Sequence, residues 1–290
     1  MCAVGSAWAS EQGGAVWGLA RISHRAPVGP GPWTYSFPAD AGQGVSVYVL
    51  GTGIDTENAE FEGRAVFGKR FAGSSDKDCS GLGTHLAGTV GSKTYGVAKK
   101  ASLVAVKVAD CDGNSTVKDL LSGINWAVND KRGVKGNVIL IGMAGGKSTA
   151  LNNAVQIAYS KGFVVVVPAG DQSQDACIVS PASAPNAVTV GATTEDDKLA
   201  SGSNYGKCVD VLGPGKDIVS TWTGGTRTTG TRSGTGMAAA HAAGIAATFL
   251  SAGSLTSAQL TAKIVSTATK NAVTGLPSST PNLLLYNGVS

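Results

Sequence analysis

The chain carries little charge and no block of it: only 14% of its 290 residues are charged, against 42% hydrophobic. That balance excludes a disordered chain, which combines low hydrophobicity with high charge. The formal net charge of +4 is scattered, so there is no basic footprint for nucleic acid. The opening, "MCAVGSAWASEQGGAVWG", lacks both a basic n-region and an apolar h-region, so no signal peptide is visible. A membrane span is not expected either. The most apolar helical stretch, "GMAAAHAAGIAATFLSAG" at 236–253, is rich in Ala and Gly, is interrupted by His241, and predicts a tightly packed core helix. None of the five cysteines, Cys2, Cys79, Cys111, Cys177 and Cys208, forms a C-x-x-C pair, which argues against zinc. Two disulfides with a spare Cys2 would suit an oxidising compartment, and five free thiols the cytosol. Spacing alone leaves both open.

What is present is a regular alternation. The runs "VSVYVL" (45–50), "SLVAVKV" (102–108), "NVILIGM" (137–143), "FVVVV" (163–167) and "AVTVGA" (187–192) are β-branched and nearly continuous, as strands buried on both faces should be. Stretches with helical spacing separate them. Strand alternating with helix predicts an α/β fold with a doubly wound parallel sheet flanked by helices. Length allows one large domain, and no repeat or linker divides it, so residues 1–290 are read as a single domain. Residues 1–44 are read as an N-terminal arm and loop packing on that domain; the Pro/Gly-rich "RAPVGPGPW" (25–33) joins the arm to the first core strand.

The segment "VYVLGTGID" (47–55) poses a specific problem. In an open parallel sheet, catalytic side chains stand at the strands' carboxyl ends, yet the first position past Leu50 is Gly51. Its context explains why this matters. "WGLARIS" (17–23), "GTGID" with "EFEGRA" (51–65), "GLGTHLAGTVGSKTYGVAKKA" (81–101), "SPAS" (180–183), "SNYGKCVDVLGPG" (203–215) and "SGTGMAAAHAAG" (233–244) follow in one order. Together they resemble a subtilisin-like serine protease of the proteinase K branch, similar to fungal secreted and cuticle-degrading proteases. The resemblance covers nearly the whole chain.

It implies a subtilisin-like fold and an Asp, His, Ser triad performing nucleophilic acyl transfer. The family's Asp falls on Gly51, its catalytic His on Leu82, its nucleophile on Gly236, and its oxyanion Asn on Asp171. All four are replaced. Glycine has no atom to attack a carbonyl, and leucine neither accepts nor returns a proton. An ionised Asp171 would repel the oxyanion that an Asn would stabilise. In subtilisin itself, loss of one oxyanion donor costs about a hundred- to a thousand-fold in rate, and loss of the triad roughly a million-fold. No neighbour substitutes: Asp55 lies too far along the outgoing loop, and His24, His85 and His241 are read as structural. Gly142, Met143, Ala144 and Ala240 also depart from the family pattern, so the changes go beyond what inactivation needs.

Other features implied by the resemblance are kept. Disulfides Cys79–Cys111 and Cys177–Cys208 are expected, and with them a secreted or secretory-pathway protein. A structural calcium ion is expected at Asp210 with the carbonyls of Pro185 and Ala187, an oxygen donor set suited to a hard cation; no organic cofactor is implied. The family binds a peptide as an added strand between residues 112–117 and 142–146; here Ser115, Val117 and Lys147 alter that groove. Family members remove a prodomain by self-cleavage, which this chain could not do. Trimming by another protease, a gene without a prodomain, or a start downstream of it would each fit Met1.

Two functions are therefore expected in competition. In the first, a pseudoprotease, a peptide, a protein partner or a small apolar ligand occupies the former cleft, which comprises Leu82, Met143, Ala144, Gly145, Pro168, Ala169, Gly170, Asp171 and Gly236. In the second, that cleft is an enlarged apolar pocket in which Asp171, its pKa raised, is the acid or base for isomerisation, cyclisation or dehydration of a small molecule. A monomer is expected in both, with no nucleic-acid or membrane partner.

Overall fold

A computed structural model describes residues 9–289. Met1 and Cys2 lie outside the described residues. The chain opens with β1 (Ala9–Ala15), α1 (Trp17–Ser23) and β2 (Trp33–Pro38), with β1 and β2 paired antiparallel. Leu19, Ile22 and Tyr35 are fully buried in the main core, and Arg21 is buried against Asp197 at 2.7 Å. This opening segment is thus part of the core.

Next come β3 (Val45–Gly51), β4 (Ala65–Arg70), α2 (Leu82–Gly91), β5 (Ser102–Lys107), α3 (Val117–Asp130), β6 (Gly136–Ile141), β7 (Gly145–Gly146), α4 (Thr149–Ser160) and β8 (Val164–Pro168). After these follow β9 (Val179–Ser180), β10 (Ala187–Thr193), β11 (Val211–Pro214), β12 (Ile218–Thr221), β13 (Thr229–Arg232), α5 (Thr235–Ala252), α6 (Ser257–Thr267), β14 (Thr269–Lys270) and β15 (Leu283–Leu284). Nine strands form one sheet in the order β14-β15-β11-β10-β8-β6-β3-β5-β4, parallel throughout except for the β14–β15 pair.

β3 shows why its sequence is nearly all apolar. Val45, Val47 and Val49 join the core cluster that includes α2 and α5, while Tyr48 and Leu50 join the cluster that includes α3 and α4. Both faces are covered, which is the signature of a buried parallel strand. α5 is buried along nearly its whole length, and its alanines let it lie close to the sheet. Gly244 is required there, because a Cβ would stand 2.5 Å from Val97. Among the described residues, no single helix is long and apolar enough to cross a membrane.

β5 and β6 flank β3 on opposite sides, so the chain's direction of winding reverses at β3. Ligands of such sheets bind outside the carboxyl ends at this reversal. Gly51 is the residue placed there.

Candidate functional site

Three distant segments meet at the carboxyl end of β3. Gly51 sits opposite Lys107 of β5, and the N–H of Gly142 donates to the Leu50 carbonyl at 2.9 Å. α2 begins at Leu82, and α5 begins one residue before Gly236. A Cβ built on Gly51 would lie 3.8 Å from the Gly83 Cα; one built on Gly236 would lie 3.5 Å from the Gly142 carbonyl oxygen and 3.7 Å from Cδ2 of Leu86. Gly51, Leu82 and Gly236 therefore converge around Leu86 and Gly142. None of these five residues carries a hydroxyl, thiol, carboxyl or imidazole.

The helix ends that present them are well built. At α2, Gly81 adopts φ +88°, and a Cβ there would collide with the Trp222 ring at 2.2 Å, so only glycine fits. The buried Asp78 carboxylate accepts five hydrogen bonds of 2.6 to 3.1 Å, from Ser80 N, Gly81 N, Thr84 N and the hydroxyls of Thr52 and Thr84. It satisfies the free N–H groups of the helix start and complements its dipole. The first turn holding Leu82 is thereby fixed.

At α5 that service comes from Asp171. Its Oδ1 accepts from the Thr235 N–H at 2.7 Å, while Gly234 supplies no capping side chain of its own. Asp171 is exposed, so the semi-apolar enclosure expected around it is absent. The reason is geometric: its backbone follows the end of β8, and its side chain turns toward the helix terminus rather than toward Leu82.

The histidines are elsewhere engaged. His85 is fully buried with Nε2 2.9 Å from the Ile218 carbonyl and Trp222 edge-on at 6.2 Å; burial lowers its pKa to about 4. His241 lies with Nδ1 2.9 Å from the Met237 carbonyl, and burial lowers it to about 4 as well. His24 Nδ1 is 2.8 Å from the Ala20 carbonyl at the end of α1. Lys107, fully buried beside Gly51, donates to the Thr52 carbonyl; burial lowers its pKa, and Asp78 opposes that shift. Asp55 lines a separate cavity of about 410 Å³ with Glu57, Phe67, Asp76 and Thr223.

The expected single pocket is divided. Met143, Ala144 and Gly145 line a cavity of about 270 Å³ with Ser115, Val117 and Leu120, whereas Asp171 lines another of about 220 Å³ with Ser201, Lys216 and Ser233. Leu82 and Gly236 line neither. Pro168, Ala169 and Gly170 are buried behind the surface, and a Cβ on Gly170 would strike the Asn204 amide at 2.4 Å. Lys147 is tied down, its Nζ donating to the Cys177 carbonyl at 3.0 Å. β7 pairs with β9, Gly145 opposite Ser180, and both its glycines are exposed.

Both expected disulfides are formed, Cys79–Cys111 and Cys177–Cys208. At the expected cation position, one Asp210 oxygen accepts from Thr189 N at 2.8 Å, and among the described residues no lysine or arginine pairs with the carboxylate. Burial pushes its pKa up to about 6. Ala187 stands two residues before Thr189 on β10. Asp210 is thus a partly buried carboxylate without a cationic partner, the type of oxygen donor a hard cation takes, but among the described residues no group of three or more His, Cys, Asp or Glu side chains gathers to hold a metal.

Sequence reasoning missed Leu86, Asp78 and the 410 Å³ cavity. Asp78 had a signal, since an acidic residue just before a helical stretch marks a helix start. The other two depend on contacts between remote loops.

Known proteins fit this architecture. Residues 42–280 match the subtilase family. A cuticle-degrading protease of Metarhizium anisopliae is 47% identical over 284 residues, covering 96% of this chain and 72% of that protein. Cerevisin of Saccharomyces cerevisiae is 44% identical, with 96% of this chain and 47% of its own length covered. Among solved structures, a cold adapted subtilisin-like serine proteinase superposes with a TM-score of 0.89 at 40% identity, covering 96% of this chain and all of the other.

Proposed function

Because this chain belongs to the subtilase family, we propose that it is a subtilase fold without protease activity, which holds an extended peptide segment in the former substrate groove. The observation that carries the reading is the chemistry of the convergence. Gly51, Leu82 and Gly236 stand near one another where the resemblance puts the triad's orienting Asp, its His acid–base and its nucleophile, and they offer neither an attacking atom nor a proton acceptor. Asp171 adds an acceptor where the reaction needs a donor, and spends it on α5.

Two features support peptide binding. Gly145 and Gly146 expose a backbone edge, and the adjacent 270 Å³ cavity is walled by Val117, Leu120 and Met143. Backbone pairing along such an edge, with one apolar side chain in the cavity, is β-augmentation. Titration with blocked extended peptides carrying leucine or phenylalanine tests this. Saturable binding, with the peptide recovered intact by mass spectrometry, is expected. Absence of binding across such a series, or cleavage, would overturn the reading.

The competing small-molecule enzyme has one supporting observation, the 220 Å³ cavity that Asp171 shares with Ser201, Lys216 and Ser233. Its exposure and its bond to Thr235 favour the capping role instead. A structural calcium ion held by Asp210 with the carbonyls of Pro185 and Ala187 is part of the same proposal; it would fix the β9 to β11 region rather than take part in chemistry.

A further inference from the structure

The rim of the groove carries a feature that peptide binding does not use. Residues 114–116 read Asn-Ser-Thr, the single Asn-Xaa-Ser/Thr triplet in the sequence. Such a triplet accepts an N-linked glycan in a chain that passes through a eukaryotic secretory pathway. The two disulfides point to that kind of compartment, and the relatives described above come from fungi.

Local structure presents the amide outward. Asn114 is exposed in the loop between β5 and α3. The loop is held through its backbone: Asn114 N donates to Asp110 Oδ1 at 2.8 Å, and the Asn114 carbonyl accepts from Asp110 N at 3.0 Å. The side-chain Nδ2 makes only a long contact of 3.4 Å to Asp110 Oδ2. A Cβ on the neighbouring Gly113 would meet nothing within 4 Å, so the surroundings are open. Thr116, the third residue, caps α3 by accepting from Asp119 N.

We propose that Asn114 is an N-glycosylation site whose glycan stands on the rim of the peptide groove. The donor is a lipid diphosphate-linked oligosaccharide. Asn114 Nδ2 bonds to the anomeric carbon, the carbon–oxygen bond to phosphate breaks, the lipid diphosphate leaves with the electron pair, and an amide proton passes to a base of the transferase. Gly113 and Ser115, on either side of Asn114, both line the 270 Å³ cavity. A saccharide here therefore crowds the 113–117 edge and leaves the Gly145–Gly146 edge as the open approach. That consequence rests on the peptide-groove reading; the modification does not.

The test is the intact mass of wild-type protein, Asn114→Gln and Thr116→Ser, each secreted from a yeast host, before and after treatment with a peptide N-glycosidase. Wild type and Thr116→Ser should lose a glycan mass, with Asn114 converted to Asp in the tryptic peptide 108–118, and Asn114→Gln should lose nothing. Thr116→Ser keeps both the triplet and the helix cap, so a folding defect cannot mimic the result. Unmodified Asn114 throughout the secreted wild-type protein would overturn the proposal. Blocked leucine peptides then separate the two readings: several-fold tighter binding to the deglycosylated form supports crowding, equal affinity refutes it, and no binding to either form refutes the peptide groove while the mass result still decides Asn114.

Discussion

A single methyl group added at Gly142 should destabilise the protein, and shortening Leu86 should relieve the cost. A Cβ on Gly142 would stand 2.4 Å from Cδ1 of Leu86, far inside normal contact. Leu86 is fully buried, one turn beyond Leu82 on α2, and its other methyl already faces the Gly236 position at 3.7 Å. It has little room to turn away. Overpacking of this kind costs roughly 1 to 3 kcal/mol, and we expect about 2 kcal/mol for Gly142→Ala. Leu86→Ala alone should cost about 2 to 5 kcal/mol through lost burial and the cavity left behind. In the double variant the new methyl enters that cavity, so the two effects should fall short of their sum by about 1 to 2 kcal/mol. Equilibrium unfolding in guanidinium chloride with the disulfides intact reads each value from midpoint and slope. If Gly142→Ala is neutral, or the two changes add within about 0.5 kcal/mol, Leu86 does not fill the space between Gly142 and Gly236.

Three further outcomes follow from the geometry. His85 and His241 have folded pKa values lowered from 6.5 to about 4 by burial, with Arg232 also disfavouring the charged form of His85. Their contribution is complete above 6.5 and is lost as pH falls toward 4, because the unfolded chain takes up protons the fold refuses; about 3 kcal/mol per histidine is the upper scale, and denaturation midpoints that stay flat across that window would refute it. Asp171→Ala should cost about 1 kcal/mol by leaving the Thr235 N–H uncapped, with peptide affinity unchanged; a loss of peptide binding without loss of stability would instead place Asp171 in the ligand site. Chelation of calcium should lower the thermal midpoint of the wild type and leave Asp210→Asn unaffected, and equal responses in both would remove the cation from Asp210.

The sheet was legible because its strands are buried on both faces, which turns β3, β8 and β10 into nearly unbroken apolar runs that a covered parallel sheet accommodates. The place of Gly51 at a strand's carboxyl end was legible in the same way, whereas the reversal at β3 and the approach of Gly236 to Gly142 and Leu86 became visible only in the fold. Less visible were the short antiparallel pairs: "ASEQGGA" and "TGTR" are mostly exposed and carry no apolar alternation, "IVST" is largely buried but only four residues long, and "WTYSFP", which does alternate aromatic and polar residues around the buried Tyr35, adjoins the Pro/Gly-rich loop that masks it. The surroundings of Asp171 were misread for a related reason. An exposed side chain's direction is set by whichever remote partner needs it, here the first N–H of α5, 64 residues away. Likewise the pairing of Leu86 with Gly142 joins a helix to a strand end, and neither residue is unusual alone.

The central claim is that the converging residues cannot perform acyl transfer, and a serine-directed phosphonate probe tests it directly alongside peptide hydrolysis. The wild type should take no label and cleave nothing. A variant combining Gly51→Asp, Leu82→His, Gly236→Ser and Asp171→Asn should fold, since Cβ atoms at positions 51 and 236 meet nothing closer than 3.5 Å, and should acquire label at position 236. Peptide cleavage by the wild type, in proportion to folded protein and persisting through purification to homogeneity, would contradict the account.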